Sequence, residues 1–258
     1  MNSDTQPGIQ RFAEGAAWVW LDLDDTLVDF RAAAGAALRL VWEHDGVRHL
    51  YPDPREWAEA YTSHNHRLWD LYARGEITQE FLRLDRFATP LRPVWKGSEQ
   101  ELAAYARSLD PLYLDHLAAN SRLLPGAAEL MKAIRRAGLK TGILSNGFKG
   151  VQHRKLSLTG LDRLTDLVVL SDDIGVNKPD PRIFRHAMAL AGEPRPEAHI
   201  MIGDNPATDI AGASAAGWRA ILFDPAVSPA APRMTAPATL AAGSLETLIP
   251  LFETLSAP

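Results

Sequence analysis

The sequence predicts an α/β fold, a Rossmann-like parallel sheet interrupted after its first strand by an all-helical insert. Three observations predict it. Residues 17–23 (A-W-V-W-L-D-L) form a short apolar run that ends in carboxylates, the pattern of a buried strand with an acidic carboxyl end. From residue 124 onward, strand-length apolar runs alternate with helical patterns, as in a parallel sheet with helices on both faces. Between residues 29 and 123 the periodicity is helical, and no strand pattern of similar quality interrupts it.

In order, residues 31–44 are rich in Ala and Leu and read as a helix. Residues 53–74 open with Asp-Pro and carry Trp57, Tyr61, Leu68, Trp69 and Tyr72 at helical spacings. Residues 78–87 open with Thr78 and have Glu80 close behind, and residues 99–120 continue the helical pattern with a break at Asp110-Pro111. In the second half, Pro125-Gly126 opens a helix that runs to Arg136 and stops at Gly138. Strands are expected at 140–144, 167–170, 199–202 and 220–223, and helices at 151–158, 181–191 and 207–216. The Pro/Ala-rich stretch 225–237 reads as a loop, and residues 245–255 as a closing helix. The expected division is an α/β core of residues 1–29 and 119–258 with a helical domain of residues 30–118.

Composition narrows the function classes. At 258 residues, with 46% hydrophobic and 23% charged residues, the chain has the makeup of an ordinary globular protein with a sizeable core. It contains no cysteine, which excludes disulfides, thiolate metal sites and cysteine nucleophiles and suits a cytoplasmic setting. A net charge of −5 and the lack of any dense Lys/Arg run argue against a nucleic-acid polymer as partner. No apolar segment approaches the roughly 18–20 residues that span a bilayer, and the polar N-terminus lacks signal-peptide character. The first dozen residues are expected to be poorly ordered.

Ligands of open parallel sheets bind at the carboxyl ends of the strands. Four such positions carry polar groups here: Asp22 and Asp24, Ser145 and Asn146, Lys178 in the loop after residues 167–170, and Asp204 with Asp209. Singly, each has a plain structural explanation, a helix cap or a loop. As an ordered set they resemble the haloacid dehalogenase (HAD) superfamily, most of whose members are phosphatases. Its D-x-D-x-T motif is matched by Asp22-Leu23-Asp24-Asp25-Thr26, its strand-closing Ser/Thr by Ser145, its Lys before Pro by Lys178-Pro179, and its G-D-x-x-x-x-D by the run from Gly203-Asp204 to Asp209. The helical insert sits where that family carries its C1-type cap.

The resemblance implies roles. Asp22 is the nucleophile that forms an aspartyl-phosphate, and Asp24 protonates the leaving oxygen and later takes a proton from water. Asp22, the backbone carbonyl of Asp24, and Asp204 hold Mg²⁺. Asp209 orients that shell from one layer out, and Thr26 serves local backbone geometry. Ser145 and the Asn146 N–H hold phosphate oxygens, and Lys178 offsets charge on the nucleophile and the phosphoryl group. Residues two apart on a strand share a face, so Asp22, Asp24 and Asp204 are expected within about 4–5 Å of one another, where three repelling pairs cost roughly 10 kcal/mol at an effective dielectric near 20. Such a cluster calls for a proton or a cation, and all-oxygen ligation favours Mg²⁺.

Asp25 stands where the family commonly has Gly, and a loop or capping role is expected of it. The same is expected of Asp172 and Asp173, with assistance to the metal shell as the alternative. His153, His186 and His199 lack metal spacing and read as surface or packing residues. Trp42, Trp57, Trp69 and Trp95 of the insert read first as helix-packing residues and second as platforms for a nucleobase.

Residues 145–187 resemble the pyrimidine 5′-nucleotidase branch, which implies a magnesium-dependent phosphomonoesterase acting on a small phosphate ester such as a nucleoside 5′-monophosphate, as monomer or homodimer. Haloacid dehalogenases of the superfamily carry Tyr at the Asp24 position and need neither a leaving-group acid nor magnesium, so Asp24 favours phosphoryl chemistry. Phosphonate hydrolases need a cap lysine, and no lysine precedes Lys96. A β-phosphoglucomutase-like phosphomutase shares the core motifs and stays open. A silent binding protein would be expected to have lost one of Asp22, Asp24, Lys178 or Asp204, and all four are present.

Overall fold

The computed structural model describes residues 9, 11–44, 46–227, 231–236 and 238–255. The chain forms two compact units, Met1–Asp29 with Arg122–Pro258, and Phe30–Ser121. No helix among the described residues is long and apolar enough to cross a membrane.

The first unit is built on a seven-stranded sheet of order β3-β2-β1-β4-β5-β7-β6. Its strands are β1 (Trp18–Leu21), β2 (Lys140–Ser145), β3 (Leu167–Leu170), β4 (His199–Gly203), β5 (Arg219–Phe223), β6 (Arg233–Ala236) and β7 (Thr239–Ala242). All neighbouring pairs are parallel except β6 and β7. β1 lies between β2 and β4, with Leu21 level with Ile143 and Ile202. The chain therefore fills one side of β1 and then the other, which makes the carboxyl edge of β1 a topological switch point.

Alternation along the strands sends side chains to two cores. Val19, Leu21, Ile143, Ile200 and Ile202 pack with Leu130, Met131 and Ile134 of helix α5 (Ala127–Arg136). Trp18, Trp20, Leu144 and Met201 pack on the other face with Trp218 and with Ile183 and Phe184 of helix α8 (Pro181–Ala191). A Cβ on Gly142 would lie 2.3 Å from the Trp20 ring, so only glycine admits that indole beside β2. His199 is a packing residue, as expected: it stacks on Trp218 with centroids 4.8 Å apart, and its Nδ1 accepts from Trp20 Nε1 at 3.0 Å. Its Nε2 is then the donor to the Glu193 carbonyl at 2.9 Å, and burial holds the ring neutral by lowering its pKa.

Three expectations for this unit need correction. Residues 1–8 and 10 of the N-terminal dozen lie outside the described residues, but Phe12 and Ala13 are buried in the first core, and Arg219 donates to the Phe12 carbonyl. The stretch read as a loop at 225–237 contains β6, which pairs antiparallel with β7 at the sheet edge. Edge strands tolerate the neighbouring prolines because one side of their ladder stays open. The helix expected at 207–216 begins as a π turn, Pro206–Ile210, and continues as helix α9 (Ala211–Ala215).

The second unit is helical: α1 (Phe30–His44), α2 (Pro54–Ala73), α3 (Gln79–Leu91) and α4 (Glu99–Ala119). Asp53 accepts from the Arg55 N–H at 2.8 Å, Thr78 from Phe81 at 3.1 Å, and Ser98 forms a capping box with Glu101. α4 does not break at Asp110-Pro111 but runs through it. Asp110 is buried and pairs with Arg86 and, at 2.6 Å, with Arg83 of α3, so it ties two helices together where the sequence suggested a break. The tryptophans pack as first expected. Trp57 is fully buried against Tyr61 and Phe87, Trp42 donates to the Tyr51 carbonyl at 2.7 Å, Trp69 meets Tyr72 edge-on, and Trp95 stacks on Tyr105.

Candidate active site

The ladder of β1 continues one residue past the strand, where the Asp22 N–H donates to the Ile202 carbonyl at 2.9 Å. This places Asp22 at the carboxyl edge of the central strand. The chain then turns tightly. Leu27 and Val28 both donate to the Leu23 carbonyl at 3.0 and 2.9 Å, and Asp25 donates to Val28 at 2.8 Å with φ of 55°. That left-handed conformation is open to Gly and, among side-chain-bearing residues, best tolerated by Asp and Asn. It is a conformation that the aspartate at this position can adopt. Thr26 is fully buried and donates from Oγ1 to Asp204 Oδ1 at 3.2 Å, so it holds a carboxylate as well as shaping the turn.

At the end of β2, the Ser145 hydroxyl oxygen accepts from the Gly147 N–H at 3.3 Å and from Gln152 Nε2 at 2.8 Å. The Asn146 amide clasps the lysine loop from both sides, its Oδ1 accepting from the Lys178 N–H at 2.7 Å and its Nδ2 donating to the Lys178 carbonyl at 3.0 Å. Lys178 is 2% exposed, and its Nζ lies 2.7 Å from Asp22 Oδ1, Asp209 Oδ1 and the Leu144 carbonyl. The contacts to Asp22 and Leu144 are hydrogen bonds, and that to Asp209 is a close ion pair.

At the end of β4, a Cβ on Gly203 would fall 2.2 Å from Asp209 Oδ2, so only glycine lets that carboxylate fold back under the strand end. The Asn205 N–H holds the same oxygen at 3.1 Å, and the Asn205 side chain caps the π turn through Ala207 and Thr208.

Oxygens of Asp22, Asp204 and Asp209 all lie within 4.8 Å of one another. The third carboxylate of the cluster is thus Asp209, where Asp24 was expected. β1 ends at Leu21, so the two-residue periodicity that would aim Asp24 beside Asp22 no longer governs the loop. The Asp24 carboxylate is instead held by Lys155 Nζ at 2.6 Å and Gln152 Nε2 at 3.0 Å.

Burial pushes the Asp22 carboxyl up to about 8, with the Lys178 charge opposing and Asp209 and Asp204 adding to the rise. Burial, then the charges of Asp209 and Asp25, lift Asp204 to about 6 against the hydrogen bond from Thr26. For Lys178, burial acts to discharge the ammonium, and Asp209 and Asp22 outweigh it, so its pKa stands above the ordinary lysine range. The cluster therefore carries more negative charge than its one lysine offsets, the electrostatic condition of a hard-cation site.

Lys155 and Gln152 escaped the sequence reading. Both lie on helix α6 (Lys149–Thr159), where the buried side chains are Gln152, Lys155 and Leu156. The available signal was negative: a short helix with little apolar surface to dock it must be docked by polar contacts. Asp172 accepts from the N-terminal N–H of α6, that of Lys149, at 3.0 Å, and Asp173 pairs with the Lys149 ammonium at 2.5 Å. These contacts agree with a capping role.

A family model of haloacid dehalogenase-like hydrolases matches residues 17–217. The chain is similar to pyrimidine 5′-nucleotidase YjjG of Escherichia coli (strain K12), 33% identical over 200 residues that cover 78% of this chain and 82% of the relative. It is similar as well to phosphoserine phosphatase of Thermus thermophilus, 32% identical over 229 residues covering 82% and 90%. In fold it matches the Bacillus subtilis protein YfnB, solved bound to magnesium, with a TM-score of 0.76 at 24% identity over 90% of this chain and 96% of that one. The four strand-end motifs, the sheet order that brings them to one edge and these likenesses agree, and the chain belongs to the haloacid dehalogenase-like hydrolase family.

Proposed function

We propose that the protein is a magnesium-dependent phosphomonoesterase that works through an aspartyl-phosphate on Asp22. The observation that carries this reading is the cluster of half-buried Asp22 and Asp204 with buried Asp209, two of whose carboxylates, Asp22 and Asp209, pair with the ammonium of Lys178. Three carboxylates against one ammonium leave a formal excess of two negative charges when all are ionised, which one divalent cation balances. The donor set is all oxygen, as Mg²⁺ prefers. Asp22 and Asp204 are the ligands in this reading, with the Asp24 carbonyl, and Asp209 steadies both Lys178 and the turn at Asn205. When bound, the ion supplies charge neutralisation and alignment of the phosphoryl group.

The chain's own residues then divide the reaction. An Asp22 oxygen attacks phosphorus, the ester P–O bond breaks, and its electron pair leaves with the alcohol oxygen, which takes a proton from Asp24. Water then attacks the acyl phosphate, gives its proton to Asp24, and the bond to Asp22 breaks to release inorganic phosphate. Lys178 holds the Asp22 carboxylate in place and offsets charge on the transferring group. The Ser145 hydroxyl and the Asn146 N–H bind the phosphoryl oxygens. Within small phosphate esters we place nucleoside 5′-monophosphates first, supported by the likeness to the E. coli nucleotidase and by the resemblance of residues 145–187 to that branch.

The test is release of phosphate from p-nitrophenyl phosphate with and without Mg²⁺, followed by a panel of nucleotides, sugar phosphates and phosphoserine. Activity that needs Mg²⁺ and disappears in excess chelator is expected. Full activity in chelator would overturn the metal assignment, and halide release from 2-haloacids without phosphate release would overturn the reaction class.

A further inference from the structure

The second motif and the DxD loop are joined by a polar bridge to which none of the roles above assigns a function. Gln152 and Lys155 stand one turn apart on α6, each about 1% exposed. The Gln152 amide nitrogen donates to Asp24 Oδ2 at 3.0 Å and to Ser145 Oγ at 2.8 Å, while the Lys155 ammonium holds Asp24 Oδ1 at 2.6 Å. Gly147 makes this possible, since a Cβ there would lie 2.3 Å from the Gln152 amide nitrogen. A buried ion pair is often no better for stability than apolar side chains of similar volume, so packing alone gives no reason for a lysine in this place.

The consequences are geometric. One donor on each Asp24 oxygen fixes the plane of the carboxylate and leaves a lone-pair site on each oxygen for a transferred proton. The Ser145 oxygen accepts from both Gln152 and Gly147, so its single O–H is turned away from them. Resting on the phosphatase reading above, we infer that Gln152 and Lys155 are positioning residues that lock the Asp24 carboxylate and the Ser145 hydroxyl into one unit, so that the group that protonates the leaving oxygen keeps register with a group that holds the phosphate. In this inference they act only through Asp24 and Ser145, with no contact of their own to phosphorus or the leaving oxygen.

The test uses the full-length protein with Mg²⁺, in single turnovers with enzyme in excess, on phenyl and p-nitrophenyl phosphate. Phenol is a far weaker acid than p-nitrophenol, so its departure depends more heavily on a positioned proton donor. Lys155→Met should slow phenyl phosphate about a hundredfold and p-nitrophenyl phosphate by less than about tenfold, within the usual range of general acid catalysis. Gln152→Met should show the same selectivity to a smaller degree and carries the test if the lysine variant fails to fold. Equal losses on both esters, no loss on either, or loss of the native thermal melt in both variants would overturn the inference, because each is the signature of a structural role or of none. A wild-type protein inert toward both esters would overturn the phosphatase reading and this inference with it, whereas an active wild type with unselective variants leaves that reading standing.

Discussion

Removing the Lys178 ammonium offers the sharpest measure of how the cluster is held. In Lys178→Met the three 2.7 Å contacts to Asp22, Asp209 and the Leu144 carbonyl vanish at a site that is 2% exposed. Asp209, itself 1% exposed, loses its ion-pair partner. Breaking a buried pair in this way destabilises a protein by about 3–5 kcal/mol. For a chain of 258 residues, about 2–4 °C per kcal/mol gives a fall in Tm on the order of 10 °C. The loss should be largest without metal, and Mg²⁺ should return part of it by taking over some of the missing positive charge. Thermal melts followed by circular dichroism, in chelator and in Mg²⁺, measure both. Adding Asp209→Asn to Lys178→Met should restore part of the stability lost in the single lysine variant, since the more deeply buried of the two carboxylates left without the ammonium is then neutral. A metal-free Lys178→Met protein as stable as wild type would refute the reasoning, for it would mean that the cluster does not depend on its ammonium.

Three further outcomes follow from the same geometry. Folded-state pKa values of about 8 for Asp22 and about 6 for Asp204 lie above the ordinary 3.8; the folded metal-free protein therefore binds protons that the unfolded chain releases, and its Tm should fall as pH rises from about 4 to about 8. Mg²⁺ must displace those protons, so the Tm gain on adding it should be larger at pH 8 than at pH 5.5; equal gains in the two melts would contradict the shifts. Asp22→Asn should abolish phosphate release while keeping a native melt, and turnover surviving in that variant would move the nucleophile elsewhere. Gly203→Ala, whose new methyl would meet Asp209 at 2.2 Å, should lower both Tm and activity, the latter by at least about tenfold, as displacing a positioned group by an ångström does; unchanged kcat would show that the Asp209 position is not needed.

Much of the architecture was readable because it rests on local chemistry. Hydrophobic period and punctuation located the strands and helices of the α/β unit, and helix α8 has the bounds that Asp180-Pro181 and Gly192 imply. The ordered strand ends named Asp22, Ser145, Lys178 and Asp204 because a parallel sheet must bring such residues to one edge, whatever packs around it. The short β6–β7 pairing was not readable. Its hydrogen bonds lie between two segments whose side chains are mostly small or exposed, and neither announces a strand alone. Asp110-Pro111 was read as a break in the helical pattern of 99–120; that Asp110 pairs with Arg83 and Arg86 depends on a second helix.

What the sequence determined by itself was the set of chemically able residues and their order along the chain, since apolar period, turn residues and strand ends are local properties. Tertiary structure alone decided how those residues share charge. It put Asp209 in the carboxylate cluster and drew Asp24 to Lys155, and it buried Gln152 where a polar helix face would ordinarily meet water. The physical reason is that burial and partnership of polar groups depend on distances between segments far apart in the chain. Lys155 and Asp24 lie 131 positions apart, and no periodicity in either segment carries the other's charge.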